Sequence, residues 1–136
     1  MIFLDTSVVI DLFGAQQSVG AAWSREAYRA VADRLLMVNL VVVAELAGYA
    51  TRPERLLDRL QAFRITAVDL TVDACFAAGT AFREYRRRGG ARDAMLADFL
   101  IAGHAVALRA SLMTRDRRLT SYFPDLTLIT PETDHG

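Results

Sequence analysis

Five short, mostly apolar runs, at residues 1–4, 36–38, 65–68, 111–114 and 126–129, alternate with longer stretches of helical periodicity. The runs are not apolar only at every second position. That is the pattern of strands buried on both faces, as in a parallel sheet. Parallel neighbours need crossover connections, usually helices. Helices are expected over residues 8–13, 17–34, 41–50, 53–63, 72–88 and 94–109. Thr6 or Ser7 is the expected cap of the first, Pro53 the first-turn residue of the fourth, and Gly89-Gly90 the stop after the fifth. This order predicts an α/β domain with a central, mostly parallel sheet of about five strands flanked by helices. More than one helix precedes the second and third strands, so the wrapping is not a strict alternation.

At 136 residues a single domain is expected, spanning 1–132 with a frayed C-terminus at 133–136. With 53% hydrophobic and 24% charged residues the chain has material for a core and is not disordered. One cysteine, Cys75, excludes a disulfide framework and a Cys-based zinc cage. It shares a helix face with Val72, Ala78, Gly79 and Phe82 and is expected in the core. The start, MIFLDTSVVIDLF, lacks a basic segment and is interrupted by Asp5 and Asp11, unlike a secretory signal. No apolar run approaches the roughly eighteen residues of a membrane span. A soluble, cytoplasmic protein with no membrane partner is expected.

Sixteen basic and sixteen acidic residues balance to a formal charge of zero, and every basic residue is Arg. A phospho-receiver domain, which also gathers acids at strand ends, requires a lysine and is excluded. A P-loop is excluded by the absence of GxxxxGK[ST].

Most of the acids have ordinary explanations. Asp58 lies on a charged helix face, Asp73 in a first helical turn, and Asp93 at an expected cap. Four acids stand apart. Asp5 ends the first strand and Asp116 follows the fourth by two residues. Ligands of open parallel sheets bind outside the carboxyl ends of strands. Asp98 falls on the helix face of Ala94, Met95, Ile101, Ala102 and Ala105, and Glu45 on that of Val41, Val42, Gly48 and Tyr49. A buried carboxylate needs a cation, hydrogen-bond donors or a proton. Each of the four could pair with an Arg or a helix N-terminus. If they converge, two carboxylates ~4 Å apart repel by about 4 kcal/mol at an effective dielectric of about 20. Oxygen-only ligands suit Mg²⁺ or Mn²⁺ rather than Zn²⁺.

The segments LDTSVVID around Asp5, VVVAELA around Glu45, DAMLADFLIAGHA around Asp98, and LMTRDRRL with the following YFP around Asp116 carry a resemblance. Together they resemble the PIN-domain family of metal-dependent nucleases, and within it the VapC-type toxins of type II toxin–antitoxin pairs. The resemblance implies a PIN fold whose acidic pocket holds Mg²⁺ or Mn²⁺, and endoribonuclease activity leaving 5′-phosphate and 3′-hydroxyl ends. It implies Asp5 and Asp98 as direct metal ligands. Glu45 and Asp116 would complete the shell, bind a second ion or hold the attacking water. The Thr114 hydroxyl would organise the pocket. A cognate antitoxin, often with an Arg entering the pocket, and a homodimer are implied as well. A non-catalytic module that receives a partner's Arg, and a housekeeping RNA-processing nuclease of the same family, are the alternatives.

RNA would need positive charge at the rim of an acidic pocket. Residues 71–118 carry nine Arg against five acids. One cluster is Arg83, Arg86, Arg87, Arg88 and Arg92; the other is Arg115, Arg117 and Arg118. Arg86, Arg87, Arg115 and Arg117 are the candidate RNA contacts. Tyr122 and Phe123 are expected to pack in the core rather than stack on bases. His104 lies about 240° around its helix from Asp98 and is read as structural. Trp23 is read as a core or interface aromatic.

Overall fold

The structure is a computed structural model, and it describes residues 1–14, 17–90 and 95–131. Its strands are β1 (Ile2–Leu4), β2 (Leu36–Asn39), β3 (Ile65–Val68), β4 (Ser111–Met113) and β5 (Leu128–Ile129). Two helices separate β1 from β2, α1 (Thr6–Leu12) and α2 (Val19–Val31). Next come α3 (Leu40–Glu45) and α4 (Pro53–Ala62), then α5 (Val72–Arg87) and α6 (Leu96–Ala107), and finally α7 (Leu119–Tyr122) before β5. The sheet order is β3-β2-β1-β4-β5 and every pairing is parallel. Phe3 stands opposite Met37 on one side and Leu112 on the other. Because the chain winds outward from β1 in both directions, the order reverses between β1 and β4. That switch point opens a crevice at the carboxyl ends of those two strands.

The centre of the sheet is apolar because it is covered on both faces. Phe3, Leu4, Leu36, Val38, Leu112 and Met113 are buried. Helices α5 and α6 pack closely because Gly103 lacks a Cβ, which would stand 3.0 Å from the Ala78 Cβ and 3.1 Å from its Cα. Tyr122 and Phe123 join the core as expected: Phe99 stacks on Tyr122 at 5.0 Å and meets Phe123 at 5.6 Å.

Several local expectations are corrected. Neither Thr6 nor Ser7 caps α1; Asp5 does, through its own carboxylate. The stretch expected as one helix over 41–50 is α3 followed by a short 3₁₀ turn, Ala47–Tyr49. Helix α6 begins at Leu96 and β5 at Leu128, each two residues late, and α7 was not anticipated. Cys75 is exposed. The fully buried residues of α5 are Ala74 and Ala78, Phe82 packs edge-on against Phe99 of α6 at 5.2 Å, and Val72 is 83% exposed, so the expected stripe is covered only in part. Trp23 is partly buried and packs against the core. Ala94, the expected cap Asp93, Arg92 and the expected fray at 133–136 lie outside the described residues.

Asn39 ties three elements together. Its Oδ1 accepts from the N–H groups of Val41 (3.0 Å) and Val42 (3.2 Å), capping α3. Its Nδ2 is thereby turned toward the Leu100 carbonyl and His104 Nδ1, each at 3.3 Å. His104 Nδ1 must then accept, so the ring proton sits on Nε2. Burial holds the His104 pKa below its usual value, consistent with a neutral ring. His104 is thus structural, as its helical angle indicated.

Candidate active site

Asp5 stands at the switch point. Its N–H donates to the Met113 carbonyl (2.9 Å), extending the β1–β4 ladder by one bond. Its Oδ1 accepts from the Thr6 N–H (2.8 Å) and its Oδ2 from the Thr114 hydroxyl (2.6 Å). Thr114 is fully buried just beyond β4, and its own N–H donates to the Ile129 carbonyl (3.0 Å). The same Thr114 Oγ1 accepts from the Asp116 N–H at 3.0 Å. One hydroxyl therefore fixes Asp5 and the loop bearing Asp116 together.

Glu45 is the last residue of α3 and is exposed, not embedded in an apolar face. Its Oε1 accepts from the Thr6 hydroxyl at 2.6 Å. Thr6, expected as a cap, instead links the Asp5 turn to α3. Asp98 is the third residue of α6, partly buried in its first turn rather than central in the core-facing stripe. Its Oδ2 accepts from the Met95 N–H at 3.4 Å. Asp5 and Asp98 thus both occupy helix N-termini, where the macrodipole favours a negative charge.

Burial opposes that preference. It raises the Asp5 pKa above the ordinary carboxylate value, against the bonds from Thr114 and Thr6, and the charges of Asp98 and Glu45 raise it further. Burial likewise raises Asp98, with added repulsion from Glu45 and Asp116. Asp5 thus feels the charges of Asp98 and Glu45, and Asp98 those of Glu45 and Asp116. Asp116 goes the other way. Hydrogen bonding to Arg118 holds its pKa down. The Arg118 N–H (2.9 Å) and Nε (3.0 Å) donate to Asp116 Oδ1, and Nη2 donates to Oδ2 (3.0 Å). Both oxygens of Asp116 are therefore engaged by an arginine.

Among the described residues, no three acidic, imidazole or thiol side chains are arranged to close on one ion. The donor chemistry nevertheless fits a hard divalent cation. All the candidate donors are carboxylate oxygens, and burial disfavours the charged forms of Asp5 and Asp98, a cost that a cation would offset. Mg²⁺ keeps most of its waters and is ordinarily held by one or two carboxylates, so a complete protein cage is not required.

The arginines divide by task. Arg115 makes a two-pronged pair with buried Asp11, Nε to Oδ2 at 3.1 Å and Nη2 to Oδ1 at 3.2 Å. Ser24 also donates to Asp11, at 2.6 Å. Gly20 makes room for this arginine, since a Cβ there would lie 3.1 Å from its Cδ. Arg115, a candidate RNA contact, therefore has a structural task. Arg87 and Arg88 both pair with Glu84. Arg86 lies over the Phe82 ring at 5.7 Å. Arg83, Arg86 and Arg87, with Thr80, Phe82 and Glu84, line a groove of ≈ 700 Å³ on α5. Arg117 is exposed beside Asp116.

Sequence reasoning missed three features here: Asp11 as a buried acid, Thr6 as the hydroxyl on Glu45, and Arg118 as the partner of Asp116. For the last a signal exists. An Asp after a strand invites an Asx-type turn, in which its side chain bonds the backbone N–H two residues on, and the residue at that place here is an arginine.

The PIN-domain family model matches residues 2–122. The chain belongs to the PIN-domain family. No curated protein matches it by sequence. A chain of VapBC2 from Rickettsia felis, solved bound to a DNA fragment from its promoter, is similar in fold. The TM-score is 0.70 at 23% identity, covering 96% of this PIN domain and 98% of that chain. A chain of DNA-bound VapBC from Salmonella typhimurium gives 0.70 at 23% identity, covering 95% and 96%. One of FitAcB from Neisseria gonorrhoeae gives 0.63 at 19%, covering 97% and 99%. At these identities the likeness concerns the fold. The expected PIN architecture, with a five-stranded parallel sheet, is the one observed.

Proposed function

We propose that this PIN domain is a Mg²⁺- or Mn²⁺-dependent endoribonuclease acting as the toxin of a VapBC-type toxin–antitoxin pair. The observation that carries the reading is Asp5 at the switch point of a parallel sheet, held by Thr114 and Thr6, with Glu45 on the Thr6 hydroxyl and Asp98 close enough for its charge to raise the Asp5 pKa. Asp5 and Asp98 are the residues to hold the cation. A bound divalent cation lowers the pKa of a water and stabilises the leaving oxygen of a phosphodiester. The Thr114 hydroxyl and the Thr6 N–H hold Asp5 in one rotamer. The Met95 N–H steadies Asp98. Glu45, exposed and hydrogen-bonded by Thr6, is the proposed residue to hold the attacking water. In the hydrolysis, water oxygen bonds to phosphorus while the bond to the 3′ oxygen breaks. The 3′ oxygen takes up a proton, leaving 5′-phosphate and 3′-hydroxyl ends.

Arg86, Arg87 and Arg117 are the proposed contacts to the RNA backbone. A cognate antitoxin is the proposed protein partner, since the solved relatives include toxin–antitoxin and VapBC assemblies. A homodimer is proposed with it. Among the described residues no helix is long and apolar enough to cross a membrane, and a cytoplasmic site of action is part of this proposal.

The test is purified protein with total RNA, with and without Mg²⁺ and chelator, and with cleavage ends mapped. Cleavage should require the metal. Asp98→Asn should lower the rate by about a hundredfold or more, since even groups that only support a metal ligand cost ten- to hundredfold. Undiminished cleavage by Asp98→Asn removes Asp98 from the mechanism. Equal cleavage in chelator removes the metal.

A further inference from the structure

Arg118 is a cation that the chain itself sets against the acidic pocket. Its side chain grips both oxygens of Asp116, with Nε and Nη2 each at 3.0 Å, and its backbone N–H adds a third bond at 2.9 Å. This two-pronged geometry is specific to the planar guanidinium. The backbone bond comes first in cause: it closes the turn and presents the carboxylate edge to the side chain two residues on. The donors to Asp5, Glu45 and Asp98 are hydroxyls and backbone N–H groups, which bring no charge. Among the described residues the four acids therefore fall into two kinds, Asp116 with an arginine on its carboxylate and the other three held by uncharged donors.

We propose that Arg118 is the internal counter-ion of Asp116. It holds that carboxylate out of the cation's ligand set, so that the RNA-free protein takes a single divalent ion, on Asp5 and Asp98. The inference rests on the metal-dependent reading above and adds a regulator of ion number to it. The Arg118 side chain is 55% exposed and that of Asp116 30%. Exposed pairs of this kind are weak. The contact is therefore one that an arriving phosphate can undo, since it offers Arg118 an alternative two-pronged acceptor. Asp116 would then be released to the pocket when substrate arrives. The positive charge of Arg118 also reaches Asp98, so its removal is felt at both sites.

The experiment is Mn²⁺ uptake by the full-length, RNA-free protein, followed through the electron paramagnetic resonance of unbound Mn²⁺. Wild type, Arg118→Gln and the double variant Asp116→Asn/Arg118→Gln are compared, with circular dichroism confirming the fold of each. Wild type should take one ion. Arg118→Gln should take up a second ion and bind the first roughly two- to fivefold more tightly, the scale of an exposed ion pair. The double variant should return to one ion, because its pair is neutral overall, as in wild type. An Arg118→Gln protein with wild-type stoichiometry and affinity overturns the proposal. So does a gain that survives in the double variant. If neither wild type nor Arg118→Gln takes up Mn²⁺, the metal-dependent reading fails and this inference with it. Uptake and metal-dependent cleavage by wild type with an unresponsive Arg118→Gln overturns this inference alone.

Discussion

Thr114 shows how much rests on a single hydroxyl. It donates to Asp5 Oδ2 and accepts from the Asp116 N–H, fully buried at the end of β4. Thr114→Val keeps the shape and removes both bonds. Metal affinity and cleavage rate should each fall about ten- to hundredfold, as when a partner of a ligand is lost; titration with Mg²⁺ checks this, and wild-type behaviour would contradict it. His104 gives a prediction about acid. Its folded pKa lies below the unfolded value of 6.5, so the unfolded chain binds the proton more readily. The stabilisation is complete above pH 6.5 and is lost as pH falls through the folded pKa. Denaturant unfolding of His104→Gln against wild type should show a shallower acid loss in the variant. Some of this was legible in the sequence and some not. Asp5 and Asp116 could be placed because strand ends can be read from apolar runs. Glu45 and Asp98 were found for a reason that does not hold, since neither lies inside an apolar face. Glu45 is exposed and Asp98 sits in a first turn, so each owes its place to the ends of helices, which periodicity locates poorly. The grip of Arg118 depends on side-chain rotamers that no spacing rule reports.

Elements position these residues by clamps away from the pocket. Asp11 on α1, Ser24 on α2 and Arg115 beyond β4 form one such clamp, with Asp11 only 3% exposed. It anchors the loop between Thr114 and Asp116 to the first two helices. Removing Arg115 leaves a buried carboxylate with Ser24 but no cation. The loss for a fully buried pair is about 3–5 kcal/mol. The arginine side chain is 38% exposed, so water softens the loss, and Arg115→Met should cost about 2–3 kcal/mol in denaturant unfolding. The double variant Asp11→Leu/Arg115→Met should recover much of it, because an apolar pair leaves no charge unmatched. A single variant as stable as wild type would show the clamp to be idle. None of this was legible beforehand. Asp11 looked like an interruption in an apolar start, and a partner more than a hundred residues away leaves no local trace. The same holds for α7, a single turn of Leu119–Tyr122 too short for its period to register.

At the scale of the molecule, the strand order β3-β2-β1-β4-β5 brings distant carboxylates to one crevice. Strand β1 supplies Asp5 and the segment after β4 supplies Asp116, while the bonded network through Asn39 holds α3 and α6 together with their acids. The parallel architecture could be read from fully apolar strands and multiple crossover helices. The order of strands was not readable, because it depends on contacts between segments far apart in the chain. We expect this crevice to gather negative charge that a divalent cation relieves. The decisive measurement is melting temperature with and without MgCl₂, for wild type and Asp98→Asn at neutral pH. Without metal the variant should melt higher than wild type, because a strained like charge is gone. With metal the wild type should gain by mass action and the variant should gain much less. Equal gains in both proteins, or no gain in wild type with saturating metal, would show that no cation is held on Asp98.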